Sequence, residues 1–193
     1  AVYSPTEKTW ARDDQSQLHW DLIHHRLQVL SAQLAKLNIP LLYRETDYFS
    51  ECPDVLQAVM KQHSCDALYF NKEYEWDERK RDALTTKHIE STHSYDDKII
   101  VPPGVILNQS GEPFKVFTPF KKRWLTWVAD TGADAVIDIP TKRQAMALKS
   151  DTLPMPDQSI DCSDWPVETA KIQQRLSDFC ASRIQEYDTG RDF

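Results

Sequence analysis

An α/β fold with a doubly wound (Rossmann-like) parallel sheet and helices on both faces is predicted by three observations. Short strand-like runs that are almost wholly apolar, Leu41–Tyr43, Ala67–Phe70 and Lys98–Val101, alternate with longer segments of helical periodicity. Strands buried on both faces read as such continuous apolar runs, because the crossover helices cover the sheet from either side. The third observation is punctuation: capping residues and prolines stand where each helix should begin or stop.

The elements follow in order. Ala1-Val2-Tyr3 reads as the end of a strand, and Pro5 to Asp14 as a loop. Ser16 suits a helix cap, and Trp20, Ile23, Leu27, Leu30, Leu34 and Leu37 recur at spacings of three and four. That spacing is one apolar stripe on a helix, with Asp21, His24, Arg26 and Lys36 off it. Asn38 suits the position just past the helix end, and Pro40 prevents continuation. Pro53 fits the first turn of a second helix whose Val55, Leu56, Val59 and Met60 face a core. A charged third helix spans Trp76 to His88. After Pro102-Pro103-Gly104 the alternation stops. Phe114 to Phe120 is aromatic-rich and leads into a helix carrying Trp124, Leu125 and Val128. The stripe Phe114, Phe117, Phe120, Trp124 and Trp127 reads as structural packing. A polar, proline-punctuated connector follows, then a last helix after Pro166 with Ile172, Leu176, Phe179 and Cys180 on its buried side, ending near Tyr187–Arg191.

Composition excludes several classes. At 40% hydrophobic and 27% charged residues, the 193-residue chain is of ordinary globular make-up. The apolar runs are too short to cross a bilayer and no secretory signal is visible, so the protein is expected to be cytoplasmic with no membrane partner. Four cysteines lie far apart without a C-x-x-C pair, which predicts reduced, mostly buried thiols. A net charge of −7 disfavours DNA binding by this chain alone, since a duplex requires a face that neutralises phosphates. No glycine-rich phosphate loop and no nucleophile elbow occurs. The pairs His24-His25 and His88…His93 lack the spacing of tetrahedral metal ligands, so no metal is expected. No catalytic residue is assigned.

One cluster stands where a site belongs. Glu73, Glu75, Asp77 and Glu78 fall where the strand ending at Phe70 turns into the next helix, and open α/β sheets bind ligands at the carboxyl ends of their strands. Acids also favour a helix N-terminus for its dipole alone. Tyr69, Tyr74 and Trp76 beside them add rings that can stack on a flat heterocycle.

Several segments, in order, resemble one family. Ile39-Pro40-Leu41-Leu42-Tyr43-Arg44-Glu45, Phe70-Asn71-Lys72-Glu73-Tyr74-Glu75 with Glu78-Arg79 and Arg81-Asp82, Val101-Pro102-Pro103-Gly104, Phe114 to Lys121 with Trp124-Leu125, and Tyr187 with Arg191-Asp192-Phe193 resemble the DNA photolyase/cryptochrome family. Within it they resemble the class I bacterial cyclobutane pyrimidine dimer photolyases, along essentially the whole chain. The resemblance implies a flavin enzyme that binds FAD and repairs ultraviolet-induced pyrimidine dimers in DNA by photoinduced electron transfer. The lesion is flipped out of the duplex to reach the flavin. It also implies a light-harvesting antenna, methenyltetrahydrofolate, between the α/β domain and a helical flavin domain.

Residue by residue, Glu78 matches the glutamate that holds the pterin. Asp77 stands where folate-binding members have asparagine, and Asp13 where they have histidine; the first change keeps an acceptor but deletes an amide donor. Tyr187 matches a flavin-contacting tyrosine and Arg191 a DNA-contacting arginine. The resemblance further implies that the family's opening strand and helix precede Ala1 and that the catalytic domain follows Phe193. Residues 1–136 are then the α/β antenna domain, 137–165 a linker, and 166–193 the start of the helical FAD-binding domain. On this reading the chain is one part of a longer photolyase and inactive alone. A cryptochrome-like blue-light photoreceptor is the alternative within the family, and a stand-alone nucleotide-binding α/β module is the alternative outside it.

Overall fold

The computed structural model describes residues 1–12, 16–131, 140–155, 161 and 163–190. It is of the α/β class, with parallel strand pairs connected through helices. The chain divides into two compact units, one of residues 1–48 and 140–193, the other of residues 49–139.

In the first unit, β1 (Val2–Tyr3) pairs in parallel with β2 (Leu42–Tyr43), and α1 (Glu7–Arg12) and α2 (Gln17–Lys36) lie between them in sequence. Ser16 caps α2 as its sequence position suggests, its side chain accepting the His19 N–H at 3.3 Å. At the other end Asn38 adopts φ 59°, and the Ile39 N–H reaches back to the Leu34 carbonyl at 3.0 Å. The left-handed residue and this long return bond together satisfy carbonyls that the helix end would leave open. Leu27, Leu41 and Leu153 form the buried cluster, with Tyr3, Ile23, Leu34 and Tyr43 packed against it.

The segment 140–155 has no regular structure, yet it is bonded into this unit. The Arg143 N–H donates to the Leu37 carbonyl, the Asp151 N–H to the Leu41 carbonyl, and Asp151 accepts the Tyr43 N–H at 2.8 Å. Asp21 is a correction to the sequence reading. It lies off the apolar stripe but is only 1% exposed, with Gln17 donating to its Oδ1. A single-helix pattern cannot register what packs on the flank of the stripe from elsewhere in the fold.

The terminal helix also departs from expectation. Helix α6 (Thr169–Asp178) runs into a π-helical turn, Phe179–Arg183, then a 3₁₀ turn and α7 (Tyr187–Gly190). The face expected to be buried is open: Ile172 and Cys180 are exposed and Leu176 is 62% exposed. Amphipathic spacing names the face that seeks a partner, whereas burial requires the partner itself.

In the second unit, β3 (Leu68–Asn71) pairs in parallel with β4 (Thr92–Tyr95), in the register Leu68 with Thr92 to Asn71 with Tyr95. Helix α3 (Cys52–Gln62), with Pro53 in its first turn, precedes β3 and packs on α4 (Trp76–His88), which links the two strands. The strand expected over Lys98–Val101 is instead a series of bends, with Ile100 62% exposed and Val101 buried. The ladder forms six residues earlier, where β3 finds its partner. An apolar run signals burial, but a strand is defined by a neighbour's hydrogen bonds. One face of the β3·β4 pair carries Tyr69 stacked on His93 at 4.7 Å, with Tyr69 and Tyr95 both exposed.

Helix α5 (Phe117–Thr131) has no fully buried residue. The aromatic stripe packs in part: Phe114, Phe120, Trp124 and Trp127 are half-buried, Phe117 is exposed, and Phe120 contacts Phe114 and Phe117 at 6.3 and 6.5 Å. The thiols differ from expectation as well, for Cys52 is buried and Cys65 and Cys180 are exposed, all three free. Among the described residues, no helix is long and apolar enough to cross a membrane.

Candidate functional site

The carboxyl ends of β3 and β4 open onto a cleft of about 640 Å³. Phe70, Pro102 and Pro103 give it apolar walls, and Lys72, Glu73, Tyr74, Arg79, Asp82 and Asp96 give it charged and polar groups. A parallel strand pair creates this position because both chains leave the ladder on the same side, and their following loops diverge. Here the divergence is filled by the β3–α4 turn and by residues 96–103.

The local sequence builds the rim directly. The Lys72 N–H donates to the Tyr95 carbonyl at 2.8 Å, carrying the ladder one step past β3. Glu75, the residue capping α4, is extended at φ −63° and ψ 153°, which turns the chain from strand into helix. The Glu73 N–H donates to Asp82 Oδ2 at 3.3 Å, so the turn leans on the helix it precedes. Arg81 in turn holds Asp82 through two donors, at 3.0 and 2.7 Å.

The charges of this rim are mostly matched. Lys98 Nζ lies 2.7 Å from both Glu73 Oε2 and Glu75 Oε1. The Lys98 hydrogen bond holds the Glu75 carboxyl down to about 2, and the two carboxylates push the Lys98 ammonium above its ordinary range. Lys72 pairs with Asp96 at 2.7 Å, and the Tyr74 phenol donates to the same carboxylate at 2.7 Å. That hydrogen bond pushes the Tyr74 phenol up to about 12, while Lys72 and Tyr74 together lower the Asp96 carboxyl. Glu75 and Asp96 therefore stay ionised, Lys98 protonated and Tyr74 neutral near neutrality.

Two groups in the first turn of α4 remain available. Neither the Glu78 carboxylate nor the Arg79 guanidinium has a side-chain hydrogen-bond or ion-pair partner among the described residues, and Arg79 lines the cleft. No pairing of a nucleophile with a base is formed by the described lining residues. Apolar walls with an open donor in Arg79, and the Glu78 acceptor beside the cleft, suit binding rather than bond making.

Asp77 and Glu78 are brought together in the first turn of α4, beside the cleft but not lining it. Lys80 lies 3.2 Å from Asp77 Oδ1 and 4.8 Å above the Trp76 ring, so Asp77 is engaged within its own helix. Tyr187 opens α7 in the other unit, exposed, its ring edge-on to Phe179 at 6.0 Å. Asp13 and Arg191 lie outside the described residues. Sequence reasoning missed Asp96 and Lys98 as parts of the rim. The signal was their place just beyond a strand, hidden because the strand was read at Lys98–Val101.

Comparison with known proteins bears on this arrangement. A family model described as DNA photolyase matches residues 1–140. The deoxyribodipyrimidine photo-lyase of Escherichia coli (strain K12) is 34% identical over 198 residues, covering 100% of this chain and 42% of its own length. The proteins of the same name from Salmonella typhimurium and Vibrio cholerae are 33% and 31% identical, again over 100% of this chain, which covers 42% and 43% of them. The chain thus spans about two fifths of the length of these relatives. With the family model matched over most of its length and the strand-end cleft formed by the segments that carry the family motifs, the chain belongs to the DNA photolyase family.

Proposed function

We propose that this chain is the antenna-side part of a deoxyribodipyrimidine photo-lyase that repairs ultraviolet-induced cyclobutane pyrimidine dimers in DNA with light. The observation that carries this reading is the match to photo-lyases over 100% of the chain. On the same reading, residues 1–136 form the antenna domain, 137–165 a linker and 166–193 the start of a helical FAD-binding domain, in a cytoplasmic protein.

The residues present fit an antenna chromophore in part. Glu78 offers a half-exposed carboxylate with no partner among the described residues, an acceptor for a ring N–H or amino group. Asp77 can only accept, and Lys80 already occupies one of its oxygens, so it does not replace an amide donor. Methenyltetrahydrofolate, held through Glu78, is the chromophore this reading names; when bound it absorbs light and passes the excitation on. The chain's own contribution is to orient that chromophore.

FAD does not find its site in the described residues. Tyr187 supplies one exposed ring beside Phe179. Arg191 is proposed to contact DNA in the full-length protein. No repair step is assigned to a residue of this chain, and alone it is expected to hold no flavin and to repair nothing.

The test is made on the full-length protein. Its purified form should carry flavin absorbance and split thymine dimers in light. Replacing Glu78 with alanine should lower antenna occupancy at unchanged FAD content. A flavoprotein that leaves dimers intact would favour a blue-light photoreceptor. Unchanged occupancy in the Glu78→Ala protein would return Glu78 to a helix-dipole role.

A further inference from the structure

The β3–α4 turn is laced to the chain leaving β4 by side chains of both charges. Asn71 donates to Asp97, Lys72 pairs with Asp96, and Tyr74 donates to the same Asp96 carboxylate. Lys98 closes the series, because its ammonium reaches Glu73 and Glu75 at once, 2.7 Å from each. Two residues of one turn are thereby held by one cation on another segment.

The neighbourhood makes this contact consequential. Glu75 is the capping residue of α4, but its side chain does not cap the helix; one oxygen takes Lys98 and the other accepts the Tyr74 N–H at 3.0 Å. Helix α4 is charged almost throughout, and only Thr85, near its far end, is buried. Its contacts with preceding elements include Arg81 over the Phe49 ring at 5.1 Å and His88 with Asp54 at 3.2 Å, both beyond the first turn. Apolar packing therefore does little to orient the first turn, and the polar links of residues 71–75 take that role. Asp77 and Glu78 follow Glu75 by two and three residues, so any tilt at Glu75 moves both carboxylates.

We propose that Lys98 is a positioning residue: by clamping Glu73 and Glu75 it fixes the first turn of α4, and with it the Glu78 carboxylate, in the orientation that binds the antenna. This rests on the reading of Glu78 as an antenna contact. Binding groups must be held to within about half an ångström by supporting contacts, and a released turn does not meet that tolerance. Arginine at position 98 can span the same two carboxylates, whereas methionine keeps the length and loses both bonds.

The experiment uses the full-length protein, freed of antenna and titrated with methenyltetrahydrofolate, with amide hydrogen exchange followed across residues 72–79. Lys98→Met should speed exchange in that segment and raise the antenna Kd roughly 2- to 10-fold, the range for losing two half-exposed ion pairs. Lys98→Arg should restore both readouts, and Lys98→Met should add nothing once Glu73→Gln and Glu75→Gln are in place. FAD content should not change. Unchanged exchange overturns the clamp, as does faster exchange with an unchanged Kd while Glu78→Ala still raises it. If Glu78→Ala also leaves the Kd unchanged, the antenna reading fails and the positioning role falls with it. An unsubstituted protein that binds no methenyltetrahydrofolate overturns both before any variant is made.

Discussion

Replacing Leu41 with alanine should cost the protein about 3–4 kcal/mol of stability, a magnitude that follows from its surroundings. Leu41 is 2% exposed and sits among Leu27, Leu153, Tyr3 and Tyr43. Losing three buried carbons at about 0.8 kcal/mol each costs about 2.4 kcal/mol in transfer free energy alone. The cavity left behind adds the remainder, because α2 and the 150–153 segment are held by other bonds and cannot close on it fully. The substitution is clean in one respect. Leu41 donates its N–H to Ser150 Oγ and accepts the Asp151 N–H, both at 3.0 Å, and alanine keeps both bonds. Urea unfolding of the full-length protein, followed by circular dichroism, measures the loss, with Leu41→Ile as the volume-conserving control at below about 1.5 kcal/mol. A Leu41→Ala loss below about 1 kcal/mol would refute the reasoning, since it would mean that Leu41 is not packed as described.

Alkaline pH should destabilise the first unit through Tyr43. Burial, followed by the carboxylates of Glu45 and Glu7, pushes its phenol up to about 12 from an ordinary 10.0. The fold therefore favours the neutral form, so its contribution is complete below pH 10 and is lost as pH rises through about 12. Tyr43→Phe should lessen the loss over that window, the remainder coming from Tyr3, whose phenol burial also pushes up, and an unaltered pH profile would count against the buried-phenol argument. On the proposed antenna reading, Asp77→Asn supplies an amide donor and removes one of two adjacent carboxylates, so methenyltetrahydrofolate should bind more tightly, by up to about tenfold for one charge-relieved hydrogen bond. Titration of the antenna-free full-length protein measures this, and equal or weaker binding contradicts the donor argument.

Much of this protein is legible in its sequence because the relevant physics is local. Ser16, Asn38 and Pro53 act on backbone within a turn of themselves, so they mark helix ends without reference to the rest of the fold. Helix α4 runs over Trp76–His88, as its charged, breaker-free stretch suggests. The ordered family segments are likewise read along the chain. What only the tertiary structure decided is non-local. Strand β4 lies at Thr92–Tyr95 because β3 supplies its hydrogen bonds there, although the more apolar residues stand at 98–101. Asp21 is buried despite lying off its helix's apolar stripe, while Leu176 is exposed despite lying on one. Lys98 meets Glu73 and Glu75 across more than twenty residues of chain, a contact set by two loops diverging from neighbouring strands. Residue type and spacing settle what a segment can form, and the partner across space settles which residues are paired, covered or left free.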